Sequence, residues 1–161
     1  MAGLFGLCSL TGAQEPHGHA SLAPHSGIEA LSPPLRSALT QEMAALQDGM
    51  MQLIPAFASG QWQTVAKIGM QMQESFIIKQ ALSESQLDEL HSALPEAFQQ
   101  LDADFHYLAG MLSHAASQRK PELVAFYFGR MAEACVACHS RYATGKFPAL
   151  ETPRTESRHG H

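Results

Sequence analysis

The chain has 161 residues, of which 45% are hydrophobic and 16% charged, with a formal net charge of −5. That length is about one domain, and the balance suits a packed core while excluding a disordered polyelectrolyte. The acidic sum argues against a general nucleic-acid binder, no run reaches the ~18 apolar residues of a membrane span, and three cysteines do not make a disulfide scaffold.

The charge is unevenly spread. Residues 1–118 carry three bases and eleven acids, whereas residues 119–161 carry seven bases and four acids. A dipole of this kind orients a charged partner during encounter, although a solvated surface produces the same asymmetry.

Met1–Ala13 reads MAGLFGLCSLTGA. Its short apolar run followed by small residues resembles the back half of a secretory signal peptide, without the basic start. Leu7 stands where a lipoprotein signal wants a small residue before Cys8. Residues 14–31 are rich in Pro, Gly, Ser and His, including His17, His19 and His25, which is linker composition. A similar polar tail is expected over 149–161.

Ser32-Pro33-Pro34 opens the first helix, with Ser as N-cap and proline where a missing N–H does no harm. Leu39, Met43, Leu46, Met50, Leu53 and Phe57 then recur every three or four residues as one apolar stripe. Pro55 is expected to kink the last turn or end it early, and Gly60 closes the segment. A second helix is expected from about Gln61 to Ala81, with Trp62, Val65, Ile68, Met72 and Phe76 as its stripe. Ser83 and Gln86 form a capping box for a third. Its stripe runs from Leu87 through Phe98 and Phe105 to Leu112 and is interrupted by Pro95. A short helix, a bend and a longer helix from about Glu96 to Ser117 are therefore predicted. Asp102, Asp104, His106 and His114 fall beside that stripe and read as solvated or interfacial. The last helix starts near Pro121 and places Val124, Phe128, Met131, Cys135 and Cys138 on one side. No sustained period-2 alternation or Asn-Gly hairpin signal is present. Four stripes with short connectors predict an all-α chain folded as an antiparallel four-helix bundle over 32–148.

The last helix contains Cys135-Val136-Ala137-Cys138-His139, the C-x-x-C-H signature of c-type haem attachment. Positions three and four apart share a helix face. Cys135 and Cys138 therefore both reach the vinyl groups along one porphyrin edge, and His139 swings beneath the iron as proximal ligand. Three other readings compete, of which a buried helical Cys pair with no cofactor leaves His139 unexplained. A thioredoxin-like CxxC sits beside a βαβ pattern, which is lacking here. A structural zinc site wants four ligands, and only His91, His106 and His114 are available as distant singles. One covalent haem c is the cofactor expected. Bacteria attach it beyond the inner membrane, which agrees with export to the periplasm.

A C-x-x-C-H on the final helix of such a bundle resembles the class II c-type cytochromes, namely cytochrome c prime and its low-spin methionine-ligated relatives. The resemblance covers about 32–147. Tyr142 matches the aromatic position that often follows the motif, while Ala143 stands where a basic residue is usual. The resemblance implies a distal ligand from the first helix. Counting back from Gly60, Met43 falls near that position, with Ala44 over an open iron as the alternative and Met50, Met51 or a histidine behind. Met/His ligation implies an electron carrier, not an enzyme. Its haem edge would be framed by Arg130, Arg141 and Lys146 and would meet a redox partner with an acidic patch. An open iron implies binding of nitric oxide or carbon monoxide, with Phe57, Phe98, Phe105, Phe128 and Met131 as candidate walls. Relatives pair through their first two helices, so a homodimer is also implied, with Trp62, Met70 and Met72 either lining that contact or packing inward.

Overall fold

A computed structural model describes residues 28–151. The expectations for the signal-like segment, the histidines of the linker and most of the tail lie outside them. The described residues form six α-helices and two single 3-10 turns, with no strand. The helices are α1 (Pro33–Ala58), α2 (Trp62–Gln73), α3 (Ile78–Ala81), α4 (Glu84–Ala93), α5 (Glu96–Ser117) and α6 (Pro121–Tyr142). No helix among the described residues is long and apolar enough to cross a membrane.

Local chemistry sets most of these bounds. The capping box opens α4: the Ser83 side chain accepts from the Gln86 backbone N–H, and the Ser83 N–H donates to the Gln86 side chain. Pro95 separates α4 from α5, and proline opens both α1 and α6. Two tight turns fold the chain back on itself. Gly60 between α1 and α2 takes φ +68°, a conformation that suits a residue without Cβ. Arg119 between α5 and α6 adopts φ 51°.

Two expectations need correction. Helix α1 runs through Pro55 and ends three residues later at Ala58, so of the two effects expected of the proline the early end does not occur. The second stripe does not stay helical to Ala81. Helix α2 ends at Gln73, Ser75 takes φ 62°, and the chain resumes as the four-residue α3. The break is held by Glu42 of α1, which is fully buried. Its carboxylate accepts the Phe76 N–H at 2.9 Å and the Ile77 and Ile78 N–H groups at 2.6 and 3.2 Å. The orphan donors at the start of α3 are thereby satisfied by Glu42 together with Ser75, whose Oγ accepts the Ile78 and Lys79 N–H groups.

Helix α2 packs most extensively on α5, α5 on α6, and α1 on α2. Small residues allow the closest approach. A Cβ on Gly69 would stand 2.9 Å from the Ala109 carbonyl oxygen and 3.0 Å from the Leu112 side chain. The main core joins Leu46 and Leu53 of α1, Val65 and Met72 of α2, Phe105 and Leu112 of α5, and Val124 and Met131 of α6. A second cluster joins Leu31, Leu35 and Leu39 to Leu90, Leu94 and Phe98. Leu31, placed by composition at the end of the linker, is thus only 2% exposed. Met72 is also buried, so it packs inward, whereas Met70 is exposed and Trp62 lies edge-on to Phe57 at 5.9 Å. Helices α1 and α6 share no comparable seam, and the space between them is a groove.

Candidate functional site

Helix α6 carries the motif on its inward side. Val124 and Met131 anchor it in the core, and one turn further on Cys135 and Cys138 are half-buried. Cys135 packs against the main core, while Cys138 and Tyr142 pack against the second cluster. Tyr142 meets Phe98 edge-to-face at 5.2 Å. The two cysteines therefore sit where the two apolar clusters meet. The cationic Arg141 of the last turn suits the negative end of the helix dipole.

Cys135, Cys138 and His139 line one groove of about 340 Å³. Helix α1 supplies its opposite wall through Met43, Leu46 and Met50, and α5 supplies Leu101, Asp102 and Phe105. Met43 is half-buried and Ala44 is exposed, so the stripe turns the thioether, not the alanine, toward this space. Phe147, folded back after α6 by its N–H bond to the Ala143 carbonyl, closes one end. Its ring stacks on His139 at 4.5 Å and 17°.

The electrostatics of the three motif residues follow from this setting. Both cysteines are free thiols. Burial raises the Cys135 pKa. Burial, then the nearby Asp102 carboxylate and Cys135, pushes Cys138 up to about 11. Both are neutral thiols at pH 7, the opposite of the depressed thiolate that a dithiol oxidoreductase needs. His139 is lowered by desolvation and then by Lys146, which keeps its imidazole neutral and its lone pair available. Among the described residues no three His, Cys, Asp or Glu side chains are arranged to hold a metal ion between them. His91, His106 and His114 thus do not complete a protein-only site with the cysteines.

Of the five residues expected to wall a gas pocket, Phe105 alone lines this groove. Phe57 and Phe128 line a second apolar groove of about 380 Å³ further along α1 and α6. Phe98 and Met131 are core. Arg130 is exposed and paired with Glu133, and Lys146 lies 5.5 Å over the Phe147 ring at the groove end.

His106 is the residue that counting the stripe misplaces. It is buried, with Nδ1 against the Met72 carbonyl and Nε2 3.6 Å from Asp102. The spacing held a weak signal: with Ala109 and Gly110 small, α2 comes close enough to cover the whole α5 face, His106 included. No family model matches the chain, and neither a curated protein nor a solved structure matches it.

Proposed function

We propose that the chain is a c-type cytochrome of the four-helix-bundle kind, holding one covalent haem in the groove between α1 and α6 and serving as an electron carrier. The carrying observation is that Cys135, Cys138, His139 and Met43 line a single groove although Met43 lies on another helix. The donor set fits the group. Two thiols sit one turn apart on one helix face, a neutral imidazole follows, and a thioether stands on the facing wall. Around them the lining is mostly Leu, Met, Ala and Phe. Helices α1, α2, α5 and α6 act as the four main rods, with α3 and α4 as a side excursion.

On this reading Cys135 and Cys138 tether the macrocycle as thioethers, His139 holds the iron from α6, and Met43 holds it from α1. A haem so bound supplies a one-electron ferric/ferrous couple. Phe147 stacks on the His139 ring and so fixes its plane, and Leu46, Leu101 and Phe105 give the groove an apolar lining. Lys146 and Arg141 give this end of the molecule positive charge, while Arg130 is offset by Glu133; this suits a redox partner with an acidic patch and makes association weaken with salt. Assembly follows export to the periplasm, where bacteria attach haem c.

Replacing Met43 by Ala tests the ligand set. Wild-type protein made in cells able to attach haem c should be low-spin in both redox states and indifferent to carbon monoxide. Met43→Ala should turn high-spin and bind carbon monoxide in the ferrous state. Unchanged low-spin spectra in the variant contradict Met43 as ligand. Carbon monoxide binding by the wild type would instead indicate an open iron and a gas-binding role.

A further inference from the structure

We propose that Asp102 and His106 form a proton-accepting pair that links the groove of Cys135, Cys138 and His139 to solvent, so that His106 gains a proton when the group in the groove gains an electron. This inference rests on the haem reading above and deepens it.

Asp102 is the residue shared by the walls of two cavities. One is the groove between α1 and α6. The other, about 780 Å³, lies on the far side of α5 beneath α3 and α4. His106 lines only this second cavity, with Nε2 3.6 Å from the Asp102 carboxylate. Its Nδ1–H is committed to the Met72 carbonyl, so Nε2 is the nitrogen whose proton comes and goes.

Every element around His106 contributes a charge or a dipole. Burial disfavours the imidazolium, whereas Asp102 and the Met72 carbonyl of α2 favour it and Lys79 of α3 opposes it; the balance raises the His106 pKa above 6.5. His91 of α4 and Glu96 at the start of α5 line the same cavity. From α6, Cys135, Cys138 and His139 share the groove with Asp102. Glu42 of α1 is spent on the backbone of α3.

The step balances as follows. A one-electron donor protein delivers one electron into the groove and removes one unit of positive charge there. His106 Nε2 then takes one proton from water in the larger cavity, assisted by Asp102. A one-electron acceptor reverses both. Because an electron gained in the groove and a proton gained at the buried His106 carry opposite charge on either side of Asp102, each favours the other.

The test is a potentiometric titration of the haem-bearing protein from about pH 5 to about pH 10, followed by absorption, with a parallel NMR titration of the His106 ring in both redox states. The midpoint should fall through one proton-linked step as pH rises. Proton affinity at His106 should be roughly tenfold higher in the reduced protein, about 59 mV between plateaus for a one-electron couple. His106→Asn keeps an N–H for the Met72 carbonyl and should abolish the step. Asp102→Asn, at a half-exposed position, should move it to lower pH. A haem-bearing wild type with a flat potential, or a step that survives in His106→Asn, overturns the inference. A colourless chain overturns the functional reading beneath it.

Discussion

At the scale of single residues, burial raises the pKa of the Cys135 and Cys138 thiols and lowers that of the His139 imidazole, whereas at His106 the Asp102 carboxylate and the Met72 carbonyl outweigh it. The half-buried Cys138 thiol lies near Asp102, and its pKa of about 11 suppresses thiolate at ordinary pH. In a chain to which nothing is attached, alkylation of Cys138 by iodoacetamide at pH 8 should run about 100-fold slower than that of an unperturbed cysteine, because the rate follows the thiolate fraction. Mass spectrometry of timed samples reads this directly, and a rate matching free cysteine contradicts the burial. His106 has the opposite linkage to a carboxylate. Its folded pKa is raised, so the stability it contributes is complete below its unfolded value near 6.5 and is lost as pH rises through the folded one. Urea midpoints should thus fall as pH rises above 6.5 in the wild type and fall less in Asp102→Asn. Equal pH dependence in the two would show that Asp102 does not hold the proton on His106.

At the scale of helices, long regular stripes were legible and breaks made by tertiary partners were not. The Ser83/Gln86 box, Pro95 and Pro121 are local signals, and they place the starts of α4, α5 and α6 where the structure has them. Phe76 continues the α2 stripe at helical spacing, so the stripe runs past the true end at Gln73. What ends the helix is Glu42, 34 residues upstream, whose carboxylate rewards a non-helical Ser75 with three backbone bonds. A contact at that separation has no periodic signature. Glu42→Ala should cost about 2–3 kcal/mol, since it strands buried donors at the start of α3. Glu42→Gln retains an acceptor oxygen and should cost less. Equal urea midpoints for wild type and Glu42→Ala would deny Glu42 that role. Small residues were equally hard to read. Gly69 and Ala109 set the closest approach of α2 to α5, and a count of large apolar residues passes over both.

At the scale of the whole molecule, the site comes from four helices that pack in sequence, α1 on α2, α2 on α5 and α5 on α6, without a matching seam between α1 and α6. The gap left over holds the C-x-x-C-H motif on one wall and Met43 on the other. The motif was legible because its spacing is local. The pairing with Met43 depends on how far α1 slides along α6, which rests on the Gly60 turn and on the α2–α5 packing between them. A group filling this gap completes the core by joining α1 to α6, so its loss should leave the chain less cooperative. The most direct measurement is the mass and absorption spectrum of the purified chain, unfolded and extracted with acidic acetone, after production in cells able to attach haem c. The chain should keep its colour, weigh one haem more than its polypeptide and show no reactive thiol at Cys135 or Cys138. A colourless polypeptide of unmodified mass with both thiols free would contradict the account.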